Sequence, residues 1–167
     1  GELANRTALI VWGGWEGHTP LQSATVVKSM LEGHGFDVTF SDTTEAFASP
    51  DIGEYALIVP VITQSEIGRE ALAGLLGAVK GGTGLAGFHG TMCDAFRKEP
   101  EYQFMTGGQW VAHPGNIIDY KIEITRPDDP IMEGVSDFDY RSEQYYMHVD
   151  PVNEVLATTR FDGAYCE

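Results

Sequence analysis

Short, largely apolar runs alternate with amphipathic segments through the first half of this sequence, and that alternation constrains the fold more than any other feature. The runs are Thr7–Trp12, Phe36–Phe40, Ala56–Val61 and Gly84–Phe88. Apolar runs of this length that show no polar alternation are typical of strands buried on both faces of a sheet. Three of the runs therefore predict buried strands, and Phe36–Phe40, which includes Asp37 and Thr39, predicts a further strand.

Two segments between these strands have helical periodicity. The first carries apolar residues at helical spacing, at Leu21, Ala24, Val27 and Leu31, and the second repeats the pattern at Ile67, Ala71, Leu75 and Val79. Thr19 is the predicted cap of the first helix, with Pro20 as its first residue and Gln22 completing a capping box. Thr63–Glu66 offers a similar start for the second helix, and Gly81–Gly82 ends it.

The order strand, helix, strand occurs two times in succession, and this pattern predicts a parallel α/β sheet. The second half differs, because helical periodicity is weak there. Ile117–Ile124 and Glu154–Thr159 are predicted strands, and Arg126–Pro130 is a turn between elements. We expect this half to add antiparallel strands and long loops. A length of 167 residues with 43% hydrophobic content suits one domain over residues 1–167.

The chain is strongly acidic, with 25 Asp and Glu against 10 Lys and Arg and a formal net charge of −15. Such a charge repels phosphate backbones and anionic lipid, so we expect neither a nucleic-acid nor a membrane partner, and solubility is the plain explanation. No stretch has the length of a membrane span or a signal-peptide pattern. Cys93 and Cys166 form no disulfide framework. We therefore expect a cytoplasmic protein.

Histidines follow two of the predicted strands. His18 comes after the first strand through a Gly-rich loop, and His89 directly follows Gly84–Phe88. Neighbouring parallel strands bring their carboxyl ends to one sheet edge, where open α/β sheets bind ligands. His89 sits between small residues in the layout of a nucleophile elbow. An imidazole there suits a metal ligand, a general acid or base, or a hydrogen-bond donor, and the alternative is a histidine packed beneath a loop.

The loop before His18 contains Gly13, Gly14 and Gly17, but their spacing matches neither a dinucleotide fingerprint nor a Walker motif. We therefore expect no nucleotide cofactor. Trp12 and Trp15 offer flat apolar faces that complement the C–H faces of a sugar ring, and core packing is the alternative for both.

A second Gly- and Trp-rich loop, Gly107–Asn116, combines Gln109, Trp110 and His113. This mixture of amide, ring and imidazole suits a polyhydroxylated ligand, unless the loop is only structural. Glu143 is the candidate carboxylate, with a plain exposed residue as the alternative, and Tyr146 lies in the same segment. If that segment is extended, Glu143 and His148 face opposite sides.

A metal is the further candidate at these loops. His18, His89 and His113 with one carboxylate would suit zinc, manganese or iron. Acid–base histidines would give the same sequence. Cys93 is expected to be a small buried side chain, and a hydrolase using it as nucleophile is a separate hypothesis.

Four motifs in order resemble the ThuA-like (trehalose-utilisation) family. They are Val11–His18, Gly84–Gly90, Gly107–Gly115 and Ser142–Pro151, within a match from Leu9 to Thr159. The resemblance implies a flavodoxin-like three-layer sandwich of the class I glutamine amidotransferase type. Amidotransferases carry Cys at the elbow, so His89 in its place does not imply amide hydrolysis. Members of the family usually run some tens of residues further, and we expect this chain to lack that closing segment.

The resemblance also implies a role in the catabolism of disaccharides or their keto forms. The leading hypothesis is a keto-glycoside hydrolase or isomerase with His89 central, His18 and His113 as partners, and Glu143 as ligand or base. Trp15, Gln109, Trp110 and Tyr146 would bind the sugar. The alternative is a non-catalytic sugar-binding or regulatory module on the same fold. A homo-oligomer is the expected assembly.

Overall fold

The computed structural model describes residues 5–162, and the prediction that concerns Cys166 lies outside them. The chain divides into two compact units with the boundary between Thr106 and Gly107. Each unit has its own sheet structure and is described by itself. Within residues 5–162, none of the helices combines the length and the apolar character needed to cross a bilayer.

The N-terminal unit contains one parallel sheet of four strands in the order β2-β1-β3-β4. Its strands are β1 (Thr7–Gly14), β2 (Asp37–Ser41), β3 (Leu57–Thr63) and β4 (Gly84–Leu85). Its helices are α1 (Pro20–Gly33), α2 (Arg69–Lys80) and α3 (Pro100–Thr106). The predicted parallel α/β sheet is therefore confirmed.

Both faces of the central strands β1 and β3 are covered, which explains the missing polar alternation in these two strands. Alternate residues of β1 enter different cores: Ile10 packs in a cluster with Ala24 of α1, whereas Leu9 and Val11 pack in a cluster with Leu75 of α2. Each of these residues is at most 1% exposed. The two clusters make the three layers of a flavodoxin-like sandwich.

The strand order reverses between β1 and β3, because β2 lies on one side of β1 and β3 on the other. The β1–β3 ladder continues to the carboxyl ends of both strands, where Gly14 pairs with Thr63. In open α/β sheets the crevice outside such a reversal is where ligands bind. The fold thus places the most favourable binding position at Gly14 and Thr63.

The C-terminal unit is antiparallel, as the sequence predicts. Its strands are β5 (Gly108–Ala112), β6 (Ile117–Ile124), β7 (Phe138–Glu143), β8 (Tyr146–Val149) and β9 (Ala157–Thr158). β5 pairs with β8, and β6 lies between β7 and β9. Residues along β6 alternate between exposed and half-buried, which is the pattern of a sheet with one face towards solvent.

Three local predictions in the N-terminal unit are wrong. Thr19 and Pro20 take the predicted N-cap and first positions of α1, but Thr19 makes no capping hydrogen bond through its side chain, because its φ of 47° is left-handed and side-chain capping needs an extended residue. Thr63 does not begin a helix; it is the last residue of β3, and α2 starts at Arg69. β4 stops at Leu85 because its ladder with β3 ends there.

Candidate functional site

A pocket of about 210 Å³ opens at the carboxyl ends of β1 and β3 in the N-terminal unit. Gly13 and Thr63 contribute from the strand ends, His18 from the loop after β1, and His89 from the turn after β4. The two imidazoles that the sequence places at strand ends therefore line one pocket. It lies at the reversal of strand order.

His89 occupies the sharp turn that the sequence predicts. Its φ of 56° is left-handed, an uncommon conformation for a residue with a side chain, and it begins a short 3₁₀ helix, His89–Met92. The turn needs glycine beside it, because a Cβ on Gly90 would lie 2.6 Å from Cγ2 of Thr63. Thr19 and Gln64, in the loops after β1 and β3, also have positive φ. Such backbone outliers are characteristic of functional sites.

His18, which follows the end of β1, is held in place by a contact with Thr63 at the end of β3. It closes the 3₁₀ helix Glu16–His18, and its Nδ1 lies 2.5 Å from Oγ1 of Thr63, which is 5% exposed. The imidazole ring of His18 meets that of His89 edge-on, with 4.8 Å between ring centroids and 78° between planes. This pair is close enough for two imidazoles to act on neighbouring atoms of one ligand.

Thr63 is the site residue that sequence reasoning missed. The available signal was a polar residue at the end of an otherwise apolar strand, which the capping interpretation assigned to the next helix. In the structure its carbonyl oxygen accepts a hydrogen bond from the Trp15 amide at 3.1 Å, and a Cβ on Gly14 would lie only 2.0 Å from that oxygen. Thr63 thus contacts the loop before His18 and the turn at His89.

The two tryptophans of this region have different settings. Trp15 is 52% exposed and meets the ring of His18 edge-on at 4.7 Å, so it presents an aromatic face beside the pocket. Trp12 is half-buried against the core cluster on the α1 side, with its ring 6.1 Å from that of Phe40. Core packing accounts for Trp12, and a role of Trp15 in sugar binding stays a prediction.

Thr91 lines the pocket and holds the turn after β4 against β3. Its hydroxyl oxygen accepts a hydrogen bond from the backbone amide of Ile62 at 3.0 Å, so it joins the turn after β4 to β3. The buried Tyr102 hydroxyl donates to the Thr91 carbonyl at 2.7 Å, and burial raises the pKa of Tyr102. Cys93 is 5% exposed beneath the turn, with its Sγ 3.5 Å from the His89 carbonyl oxygen. This burial matches the expected small structural side chain.

Among residues 5–162, no Asp, Glu, Lys or Arg side chain lines the pocket. The remaining lining combines hydroxyls of Ser23, Thr63 and Thr91 with apolar side chains such as Val61 and Phe88. Two imidazoles in a largely apolar wall suit proton transfer to and from an uncharged ligand.

The other predicted site residues lie in the C-terminal unit, where His113 is held by the turn between β7 and β8. Its Nδ1 lies 2.8 Å from the Gln144 carbonyl oxygen, and its Nε2 lies 3.6 Å from Oε2 of Glu143. The rings of Trp110 and Tyr145 flank the imidazole, with centroid distances of 5.0 and 4.8 Å. The structure therefore groups His113, Glu143 and Trp110, and it adds Tyr145.

Gln144 builds this second group and was also missed. It is 2% exposed, its backbone N–H donates to the Asn116 carbonyl at 3.1 Å, and its side-chain Nε2 donates to the Thr159 hydroxyl at 2.8 Å. The available signal was its position between two residues already chosen, Glu143 and Tyr146.

Gln109 and Tyr146 lie on the β5–β8 ladder. Gln109 pairs with His148, and Tyr146 pairs with Ala112 while its ring stands 6.1 Å from that of His148. Because β7 ends at Glu143 and β8 begins at Tyr146, Glu143 and His148 belong to different ladders. The roles of Gln109 and Tyr146 in sugar binding stay predictions.

The predicted metal ligands come from both units. His18 and His89 lie together, and His113 belongs to the C-terminal unit. Among residues 5–162, no group of three or more His, Cys, Asp and Glu side chains has the arrangement of a metal site. The divalent-metal prediction for these three histidines therefore rests on residue types alone.

The chain is similar in structure to two ThuA-like proteins of known structure. One, from Bacteroides uniformis, has a TM-score of 0.76 at 21% identity and covers 92% of this chain and 68% of its own. The other, from Parabacteroides merdae, has a TM-score of 0.71 at 20% identity and covers 93% and 68%. At such identities the likeness shows the fold. No curated protein matches the sequence.

Residues 7–165 match the model of one protein family, described as trehalose utilisation, and the match extends over both units. The four motifs that carried the resemblance in the sequence all lie within it. The chain belongs to the ThuA family and is a trehalose-utilisation-related protein.

Proposed function

We propose that this protein catalyses proton transfer on an uncharged keto-sugar in the pocket of the N-terminal unit, with His18 and His89 as the acid–base pair. The observation that carries the proposal is the pair itself: two imidazoles, 4.8 Å apart, line one pocket at the reversal of strand order. The family supplies the substrate class, since trehalose utilisation concerns a neutral disaccharide.

The lining of the pocket favours proton transfer over ordinary glycoside hydrolysis. Glycosidases use a pair of carboxylates across the scissile bond, whereas the described residues of this pocket include none. Histidine can take a proton from a carbon beside a carbonyl and can donate to the carbonyl oxygen. With a volume of about 210 Å³, below the ~300–1,000 Å³ of typical ligand sites, the pocket suits one sugar ring.

The proposed step begins with a ketone next to an H–C–OH carbon. One imidazole removes the proton from that carbon, the C–H electrons form a C=C bond, and the carbonyl π electrons move to oxygen. The second imidazole donates its proton to that oxygen, which gives a neutral enediol. Return of a proton to the other carbon, with loss of the hydroxyl proton from its neighbour, completes an isomerisation with no external oxidant or reductant.

Thr63 and Trp15 support this chemistry. Because Thr63 engages Nδ1 of His18, proton exchange with a ligand passes through Nε2 of that ring. A hydroxyl can donate to or accept from Nδ1, so the contact allows His18 to serve as either acid or base. The exposed indole of Trp15 supplies a face for the sugar ring.

The proposal does not depend on His113, Glu143, Gln109, Trp110 or Tyr146, whose participation stays a prediction, as do a homo-oligomeric assembly and a cytoplasmic location. The competing function is a sugar-binding or regulatory module without turnover. The exposed Trp15 is compatible with both functions, so binding alone does not separate them.

Deuterium exchange separates them. Proton NMR in D₂O follows the loss of the signals of the hydrogens on the carbons beside the ketone of 3-keto-trehalose. The exchange rate without protein is subtracted. We expect exchange with the wild-type chain, and a loss of about 100-fold or more in His89→Ala and in His18→Ala, the usual contribution of general acid–base catalysis. His34→Ala, which changes an exposed histidine after α1, is the matched control and should retain the wild-type rate. Saturable binding without exchange would support the binding module instead.

A further inference from the structure

We infer that β7 is an interaction edge, along which two copies of this chain pair in antiparallel orientation. The inference goes beyond the proposed activity and is independent of it, because β7 and the measurements on it do not involve the His18–His89 pocket. It also assigns a surface to the homo-oligomer that the sequence predicts.

The first step is the open edge of β7. In its sheet β6 pairs with one side of β7, and among residues 5–162 no strand pairs with the other side. The four consecutive residues Phe138–Arg141 are all exposed, so both faces of the strand are accessible there. An edge strand presents a row of backbone N–H and C=O groups, which is a template for a strand of another chain.

The second step is the charge pattern of this edge. Asp139 and Arg141 are two positions apart, so they lie on the same face of the strand with opposite charges. When a second copy pairs in antiparallel orientation with Tyr140 opposite its own equivalent, Asp139 of each copy lies opposite Arg141 of the other. Opposite charges at facing positions stabilise a strand pair, whereas like charges destabilise it. The exposed edge is therefore complementary in charge to a second copy of itself.

The same pattern selects one register. A slip of two residues in one direction places Asp139 opposite Asp139 of the second copy, and a slip in the other direction places Arg141 opposite Arg141. Both registers oppose like charges. A slip of one residue turns the charged face of one copy towards the aromatic face of the other. Among these registers, the one centred on Tyr140 alone joins opposite charges.

The charge pattern continues into β6. Asp119 forms an ion pair with Arg141 at 2.8 Å, and Lys121 lies opposite Asp139 in the β6–β7 ladder. In the proposed pair, one row of facing residues contains Asp119 and Arg141 of one copy, followed by Asp139 and Lys121 of the other. The charges alternate in sign across all four strands, and the symmetry of the pair generates this row twice.

The opposite face of β7 supplies apolar surface. Tyr140 is 54% exposed and Phe138 is 46% exposed. The ring of Tyr140 already lies 6.2 Å from that of Tyr120 and 6.3 Å from that of Phe138. Pairing brings Tyr140 against its own equivalent, and an aromatic cross-strand pair stabilises a sheet. It also removes aromatic surface of both copies from water.

The pairing involves few residues, so we expect a weak dimer. The five residues Phe138–Ser142 of each copy cover less than the ~800 Å² per partner of a standard interface. Two chains that each carry a net charge of −15 also repel each other at long range, and salt screens this repulsion. We therefore expect a reversible dimer with a Kd on the order of 0.1 mM at moderate salt, as for small and transient interfaces.

Sedimentation equilibrium of the chain, from well below to well above that Kd, tests the pairing. Asp139→Lys gives β7 two positive charges, and Arg141→Glu gives it two negative charges. Each variant alone should self-associate at least about tenfold more weakly than the wild type. An equimolar mixture of the two variants again places opposite charges at both facing positions, so it should form a heterodimer with an affinity near that of the wild type.

Two matched controls separate the pairing from net charge. Asp128→Lys and Arg126→Glu make the same charge changes at exposed positions of the loop after β6. Each should self-associate like the wild type.

Backbone hydrogen exchange of the wild-type chain locates the contact without any substitution. We expect amides of Phe138–Ser142 to exchange more slowly at high protein concentration than at low concentration, because pairing protects them. The amides of β9, at the other edge of the same sheet, should exchange at equal rates and serve as the internal control.

Several results would overturn the inference. These are a wild-type chain that stays monomeric at the highest concentration, unchanged self-association of both β7 variants, a mixture of the two that stays monomeric, an equal loss in the matched controls, or slowed exchange elsewhere with none in β7. Circular dichroism checks that each variant is folded. If a β7 variant does not fold, sedimentation and hydrogen exchange of the wild-type chain decide the question.

Discussion

The two units hold their central histidines by different means. In the N-terminal unit, Nδ1 of His18 contacts the hydroxyl of Thr63, a side chain from a neighbouring strand. In the C-terminal unit, Nδ1 of His113 contacts the main-chain carbonyl of Gln144. A hydroxyl serves as donor or acceptor, whereas a carbonyl oxygen only accepts.

The difference separates two kinds of chemistry. His18 can change its tautomer without breaking its contact, which suits a residue that gives and takes protons. His113 keeps its hydrogen on Nδ1, because the Gln144 carbonyl oxygen only accepts, and its Nε2 lies 3.6 Å from Oε2 of Glu143. A side-chain substitution can remove the first contact, but the second is formed by the backbone and survives a change of the Gln144 side chain.

The largest effect is expected where the N-terminal contact is built. Gly14→Ala should destabilise the chain by about 3 kcal/mol or more, because the new Cβ would lie 2.0 Å from the Thr63 carbonyl oxygen at a φ of +84°. Urea unfolding measures the change. Gly77→Ala is the control: this glycine lies in α2 with open space around its Cβ position, and the change should stabilise the helix by about 0.5–1 kcal/mol. A Gly14→Ala protein as stable as wild type would contradict the close approach.

The next effect concerns the C-terminal contact. Gln144→Ala should lower the free energy of unfolding by about 2 kcal/mol. The buried side-chain amide of Gln144 donates a hydrogen bond to Thr159, and its removal takes this bond from the Thr159 hydroxyl and leaves a cavity. Nitrogen-15 NMR should still show His113 with hydrogen on Nδ1, since the carbonyl remains. The exposed Gln22→Ala is the comparison and should change stability by less than about 0.5 kcal/mol. Loss of the His113 tautomer in Gln144→Ala would mean that the side chain, not the backbone, sets it.

Thr63→Val tests the hydroxyl directly. The variant keeps the shape of the buried side chain and removes its contact with His18, so the deuterium-exchange rate should fall about tenfold, the equivalent of one hydrogen bond of about 1.4 kcal/mol. Thr63→Ser should restore most of that rate. Equal rates in Thr63→Val and wild type, with both proteins folded, would show that the contact does not support proton transfer.

The smallest effect is expected at the surface of the C-terminal unit. Arg141 and Asp119 form a cross-strand ion pair at 2.8 Å, but their side chains are 62% and 79% exposed. Asp119→Asn should therefore change the free energy of unfolding by less than about 0.5 kcal/mol, and salt should reduce the difference further. A change as large as that of Gln144→Ala would mean that surface charge, and not the buried amide, stabilises this unit.

The sequence predicted the parallel sheet because its central strands β1 and β3 are buried on both faces, and burial leaves an apolar run that local sequence displays. β6 was also located at its observed bounds, Ile117–Ile124, since apolar residues recur at every second position along it, at Ile118, Tyr120, Ile122 and Ile124. β5, β7 and β8 escaped prediction. They are half-exposed strands whose partners lie far away in the chain, as in the pairing of Gln109 with His148.

The site was predictable where one strand end determines a residue's position. His18 and His89 follow β1 and β4, so topology alone brought them to one edge. Thr63 could not be identified in the same way, because its contact with His18 joins residues 45 positions apart and its local sequence resembles a helix cap. Gln144 was missed for a similar reason, since its partner Thr159 belongs to a different segment.

The central claim is that the His18–His89 pocket receives the sugar, and histidine NMR tests it most directly. The sequence contains five histidines, so each Cε1–H signal can be assigned with single His→Ala variants and followed while 3-keto-trehalose is added. We predict that the His18 and His89 signals shift together along one saturable curve, while the exposed His34 signal stays in place. Unmoved His18 and His89 signals, with saturable shifts at the other histidines, would contradict the account.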